Sequence, residues 1–126
     1  METVSSLRFP RKERLKGRDE IREVFAQRRG FSCSGARLLA IRNGLPHNRI
    51  AFTFSRKFGS AVQRNRSRRV SREVYRQFRN GLLKGYDLVL LAYPGQDVFS
   101  VRMNQMRELF ARAGLLGSPC GNWESS

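Results

Sequence analysis

Residues 56–79 read RKFGSAVQRNRSRRVSREVYRQFR and hold nine of the chain's 25 Lys and Arg residues against a single acid, Glu73. The resulting +8 in 24 residues is about half of the +15 carried by the whole chain. From Ala61 or Val62 to Arg79 the spacing predicts one long helix. At about 100° per residue Val70, Val74 and Phe78 share a face, with Tyr75 at its margin. Arg69, Arg72, Arg76 and Arg79 recur on the opposite side, and Asn80-Gly81 offers a left-handed stop. A charge run is ordinarily a solvated face, but a run of almost one sign repels itself unless a polyanion neutralises it. Eight of the nine cations are Arg, whose flat guanidinium forks onto phosphate and stacks on bases, where Lys offers a point charge. The stretch therefore reads as an RNA-binding element.

Upstream, RIAFTFS (49–55) alternates, with Ile50, Phe52 and Phe54 on one face and Ala51, Thr53 and Ser55 on the other. This is a half-covered strand whose small, hydroxylic face suits the floor of a groove. Phe52 and Phe54 share the parity of Ile50, so core packing competes with base stacking as their role. FSCSGARLLAIRN (31–43) reads as strand with a turn or bulge at Ser34-Gly35, and Gly44–Asn48 as turn chemistry. Before it, Ile21, Val24 and Phe25 recur at helical spacing behind Asp19 as cap, with Gly30 as stop and Leu15 as a further anchor. Downstream, YDLVLLAY (86–93) is a continuous apolar run that fits a buried central strand. Ser100–Ala113 reads as a last helix with Val101, Met106, Leu109, Phe110 and Ala113 facing the core. Helices on one antiparallel-rich sheet, an α+β sandwich, is the packing this order favours. One domain over residues 1–113 is expected, with 1–13 a flexible lead and 114–126 a flexible tail containing Cys120 and Trp123.

Composition narrows the chemistry. A 40% hydrophobic content with nine Phe residues supports a packed core, and a pI near 11.5 is the footprint of a nucleic-acid partner. No run of 18 apolar residues exists to span a bilayer, and the start lacks the apolar core of a signal peptide. A cytoplasmic protein with no membrane partner is expected. The two cysteines, Cys33 and Cys120, and the single His47 have no metal-ligand spacing, so no metal site in the protein is expected. Nor is there a glycine-rich phosphate loop, a nucleophile elbow or a cluster of carboxylates able to hold two metals.

The 25 residues RIAFTFSRKFGSAVQRNRSRRVSRE (49–73) resemble the signature of the bacterial ribonuclease P protein component. The likeness lies in Arg56-Lys57, Gly59, Ala61-Val62, Arg64-Asn65-Arg66, Arg68-Arg69 and Arg72-Glu73, in that order. Arg14-Leu15-Lys16 and Val24-Phe25 are similar to the family's entry segment and first helix, and the likeness extends over roughly 14–113. Ala51 stands where the family usually has Gly, and Ser67 where it usually has an aliphatic residue. Ile21 and Ile41 occupy positions that are often aromatic in the family.

The resemblance implies an αβββαβα sandwich with a mixed, mainly antiparallel sheet and a left-handed βαβ crossover, ribosomal protein S5 domain 2-like. It also implies a subunit of a ribonucleoprotein endoribonuclease that removes the 5′ leader from precursor tRNA. The catalytic RNA, holding Mg²⁺ with the substrate, would perform the hydrolysis, and the protein would contribute no catalytic residue. Partners are then that RNA and precursor tRNA, with no DNA. The RNA-binding set is Arg56, Lys57, Arg64, Asn65, Arg66, Arg68, Arg69, Arg72 and Arg76, acting on phosphates and so positioning more than specifying. Asn65, the uncharged member, has local hydrogen bonding as its alternative. A leader groove is expected from Phe25, Thr53 and Ser55, with Arg14 and Lys16 beside it. The rival reading is a generic basic RNA-binding or ribosome-associated protein.

Overall fold

A computed structural model describes residues 11–27, 30–95 and 98–116. Its sheet begins with a hairpin, β1 (Gly30–Cys33) and β2 (Ala36–Arg42), paired antiparallel with Phe31 opposite Leu38 and Cys33 opposite Ala36. Gly35 makes the turn at φ 89°, a conformation open to glycine at little cost, and a Cβ there would sit 2.5 Å from the Gln105 amide nitrogen. The expected turn at Ser34-Gly35 is thus the boundary between two strands.

β3 (Arg49–Phe54) and β4 (Tyr86–Ala92) complete a four-stranded sheet in the order β1-β2-β4-β3. β4 runs antiparallel to β2 and parallel to β3, with Ile50 opposite Leu88 and Phe52 opposite Leu90. Two parallel neighbours need a long connection, and the basic helix α2 (Ala61–Phe78) supplies it. With α1 (Arg18–Gln27) before the sheet and α3 (Phe99–Arg112) after it, the chain follows the expected αβββαβα order. β4 is central and buried on both faces, which accounts for its unbroken apolar run.

The two-residue period of the strands sorts side chains into two cores. Leu38, Ala40, Ile50, Phe52, Leu88 and Leu90 pack with Val74 and Tyr75 of α2 and with Met106, Leu109 and Phe110 of α3. On the opposite face Leu39, Ala51 and Val89 pack with Val24 of α1 and with Leu15. Among the described residues one short helix, with the segment around Leu15, covers this second face, and open clefts lie beside it.

Several expectations change here. Tyr75 is not marginal: it is 1% exposed, edge-on to Phe52 at 6.3 Å between ring centroids. The anchored face of α2 also includes the fully buried Ser67 and Ser71. Ser71 Oγ accepts a hydrogen bond of 2.8 Å from Arg102, a buried arginine on α3. Small hydroxylic residues let α2 and α3 approach closely enough to enclose that guanidinium, which hydrophobic periodicity does not register. α2 ends not in a left-handed glycine but in a 3-10 turn, Arg79–Gly81, where Gly81 lacks a positive φ. Asp19 lies inside the first turn of α1 rather than at its cap.

Both expected boundaries of the packed unit also move outwards. Residues 11–13 form a 3-10 turn, Arg14 bridges Ile50, and the Leu15 amide donates to the Ile50 carbonyl at 3.0 Å. At the other end Leu115 is buried in the main core and Leu116 bridges Leu82. Cys120 and Trp123 lie outside the described residues.

Candidate nucleic-acid interface

The start of α2 is built by a capping box. Ser60 Oγ accepts from the Gln63 amide at 3.3 Å, and Gln63 Oε1 accepts from the Ser60 amide at 2.8 Å. Arg64 then turns back over the loop it has just left. Its Nε donates to the Gly59 carbonyl at 3.1 Å, and its Nη2 to the carbonyls of Arg56 at 3.0 Å and Ser55 at 3.3 Å. Arg64, expected on phosphate, here staples residues 55–59, and Arg56 and Lys57 beside it are exposed.

The remaining cations of α2 and of the turn that follows it divide into three groups. Arg66 and Arg69 are exposed and project outward. Arg68 and Arg72, one turn apart, lie on the flank towards the second face of the sheet. Arg68 donates to Asn65 Oδ1 at 3.0 Å and sits 5.1 Å over the Phe54 ring. Asn65 therefore makes the local hydrogen bond that was its alternative role. Arg76 and Arg79 are ion-paired, to Glu73 and Glu13 respectively. The expected stripe Arg69-Arg72-Arg76-Arg79 is consequently half neutralised within the protein.

Arg14 and Lys16, Ile21 of α1, Thr53 of β3, and Arg68 and Arg72 of α2 border an open cleft of about 250 Å³. Burial, and then the like charges of Arg14 and Arg68, push the Arg72 guanidinium below its ordinary pKa. Three arginines from two distant segments are thus held close enough to feel one another, an arrangement that an anion in the cleft stabilises. Arg14, Lys16 and Thr53 meet as the sequence suggested, and Thr53 anchors its hydroxyl on the Leu90 carbonyl at 3.2 Å.

Phe25 borders a neighbouring cleft of about 300 Å³ with Arg37, Leu39 and Leu91. It is 39% exposed, an uncommon state for a phenylalanine on an otherwise core-facing helix row. Ile21 and Phe25 are one turn apart on α1, and each borders one of the two clefts. Ile41 packs with Ile21 against the second core.

Ser55 lines neither cleft. Ser55 follows directly on β3, its amide still donating to the Ala92 carbonyl of β4 at 2.9 Å, and its hydroxyl is buried rather than open to a groove. Phe52 lies in the main core, while Phe54 packs on Phe58 at 4.8 Å. Core packing is the outcome for Phe52, which also borders the floor of the Arg14–Arg72 cleft, whereas Phe54 is half-buried beneath Arg68.

Arg37 and Arg49 were not singled out by sequence. Arg49 donates twice to the buried Asp87, at 2.8 and 2.7 Å, and once to Glu20 of α1 at 3.1 Å. Hydrogen bonding to Asp87 raises its pKa above the ordinary value. It fastens one end of α1 to the sheet, and the only available signal was its position at the head of the β3 alternation. Among the described residues no three His, Cys, Asp or Glu side chains converge as a metal site, and no helix is long and apolar enough to cross a membrane.

The ribonuclease P family model matches residues 9–114. A ribonuclease P protein component from Dictyoglomus turgidum is 30% identical over 112 residues, 86% of this chain and 94% of its own length. Another, from Natranaerobius thermophilus, is 38% identical over 78 residues, 62% of this chain and 68% of the relative. The solved RNase P protein of Thermotoga maritima superposes with a TM-score of 0.70 at 27% identity, covering 79% of this chain and 96% of that one. The Staphylococcus aureus RNase P protein, at 16% identity and a TM-score of 0.74, shares the fold. The comparisons lend no support to a generic RNA-binding or ribosome-associated role. The matched span includes the N-terminal segment at the cleft, the cationic helix and the last helix alike, and the chain belongs to the ribonuclease P protein component family.

Proposed function

We propose that this chain, as the protein subunit of ribonuclease P, holds the single-stranded 5′ leader of precursor tRNA in the clefts along α1 while its cationic helix grips the catalytic RNA. The observation that carries the reading is the convergence of Arg14, Arg68 and Arg72 with Lys16 and Thr53 on one open cleft. An extended single strand suits an open furrow of about 250 Å³, its phosphates placed towards the guanidiniums. The exposed Phe25 in the adjoining cleft supplies a face for one base, and base–aromatic stacking contributes about 1–3 kcal/mol. With Ile21 and Ile41 aliphatic, Phe25 is the stacking ring of α1. Arg56, Lys57, Arg66 and Arg69 point elsewhere and serve the RNA subunit, with Arg64 acting by holding the Arg56-Lys57 loop in place.

Catalysis belongs to the RNA in this reading. Among the described residues no three acids converge as a Mg²⁺ site, and Glu13, Glu20, Glu73, Asp87 and Glu108 are each bonded to arginine. Mg²⁺ is accordingly assigned to the RNA subunit and the substrate phosphates, and the protein binds and orients. The test is the affinity of the reconstituted holoenzyme for precursor against mature tRNA. Phe25→Ala and Arg72→Ala are expected to weaken precursor binding and leave mature tRNA unaffected. Equal losses for both ligands, or leader crosslinks confined to α3, would overturn the leader assignment.

A further inference from the structure

The cleft brings three arginines together at its border, Arg14 from one segment and Arg68 and Arg72 from another. Arg14 is brought there, against the like charges of Arg68 and Arg72, by a segment that precedes the first helix. Two things hold that segment down. One is the Leu15 side chain, buried in the second core, with its amide on the Ile50 carbonyl. The other is Glu13, whose carboxylate accepts two hydrogen bonds from Arg79, 66 positions away, at 3.0 and 2.7 Å. The side chains of this pair are only 12% and 18% exposed. A bidentate, half-dry pair of this kind is directional as well as attractive. It fixes the residue directly before Arg14 to the C-terminal end of the helix that carries Arg68 and Arg72.

We infer that Glu13 is a positioning residue for the RNA site, the acid that pins Arg14 beside Arg68 and Arg72 by clasping Arg79. This rests on the proposal that the cleft takes the leader. Charge counting and the clasp predict opposite signs. Glu13→Gln makes a polyanion-binding protein one unit more positive, which by long-range electrostatics tightens RNA binding. Through the clasp it loosens binding, because a neutral amide cannot hold the guanidinium fork and Arg14 leaves the cleft.

The experiment measures precursor tRNA binding by holoenzyme reconstituted with a bacterial ribonuclease P RNA, across a salt series. The proteins are wild type, Glu13→Gln, Arg79→Gln, Arg14→Ala and the double variant Glu13→Gln/Arg14→Ala, with thermal melts as a fold check. Arg79→Gln breaks the clasp from the other side with the opposite change in net charge, so a folding failure of one variant leaves the other to decide.

Glu13→Gln is expected to weaken binding on the order of tenfold and to lower the salt slope by about 0.7, one single-strand phosphate contact. Both effects should vanish in the Arg14→Ala background, where there is no Arg14 left to misplace. Binding unchanged or tightened by Glu13→Gln, while Arg14→Ala weakens it, would overturn the clasp and leave the leader site standing. A Glu13→Gln loss that persists undiminished without Arg14 would reduce the pair to general stability and also overturn it. An Arg14→Ala protein that binds precursor as well as wild type would instead overturn the leader site itself.

Discussion

Arg64 and Arg72 are two turns apart on one helix and do different things. Arg64 donates to three loop carbonyls, whereas Arg72 borders a cleft among like charges. Arg72→Ala and Arg68→Ala should each flatten the dependence of log affinity on log salt by about 0.7. Arg64→Ala should act first on stability, costing about 1 kcal/mol in denaturant melts. If Arg64→Ala flattens the slope as much as Arg72→Ala and leaves the melt unchanged, the staple assignment is wrong.

Tyr75 offers a second check at this scale. Burial, and then the charge of Glu13, raise its hydroxyl pKa above the ordinary value of about 10. The folded state therefore keeps the proton that the unfolded state releases at high pH. Its stabilising contribution is complete below about pH 10 and declines above it, by up to about 1.4 kcal/mol per pH unit. Unfolding free energies measured from pH 8 upwards should show that fall, and Tyr75→Phe should remove its tyrosine component. A wild-type profile flat beyond pH 10 would contradict the burial.

At the scale of elements, α2 depends on its first turn. Ser60→Ala removes half of the capping box and should cost about 1 kcal/mol, read from the denaturation midpoint. Gly59→Ala should cost more, because a Cβ there would run into the Gln63 side chain that closes the box. Equal midpoints for Gly59→Ala and wild type would show that the box tolerates displacement.

The elements themselves were legible: the alternation of 49–55, the apolar run of 86–93 and the helical spacing from Ala61 onwards all correspond to what forms. Failures came where a partner lay outside the local pattern. Ser71 and Arg102 are polar by type and buried by pairing with each other, and Ser67 is buried with no hydrogen-bond partner for its hydroxyl among the described residues, so periodicity left all three out. Ser55 sits one residue past β3 with its amide still on the Ala92 carbonyl, but its hydroxyl is buried, which alternation alone did not register.

For the whole molecule, sequence identified the polyanion partner and the family resemblance, but not how the cations are shared out. A count of arginines treats Arg72, Arg76 and Arg79 alike. The fold gives Arg76 to Glu73 and Arg79 to Glu13, and leaves Arg72 at the cleft. The second of those assignments required knowing that residue 13 returns to the end of the basic helix. Arg14, Lys16 and Thr53 meet because the N-terminal segment lies along β3, a pairing that no local signal announces. The net charge of +15 favours association with RNA generally, while on the proposed function the cleft would distinguish a substrate with a leader from one without.

The central claim is that this chain assists an RNA catalyst by holding the leader, and leader removal at limiting Mg²⁺ tests it most directly. Precursor tRNA is incubated with a bacterial ribonuclease P RNA alone, with the protein alone, and with both. The account predicts cleavage at the mature 5′ end with both present at a Mg²⁺ concentration where the RNA alone is slow. It predicts none with the protein alone, and a lower kcat/KM for Arg72→Ala with leader-bearing substrate. Cleavage by the protein without RNA, or no rate gain from adding it, would contradict the account.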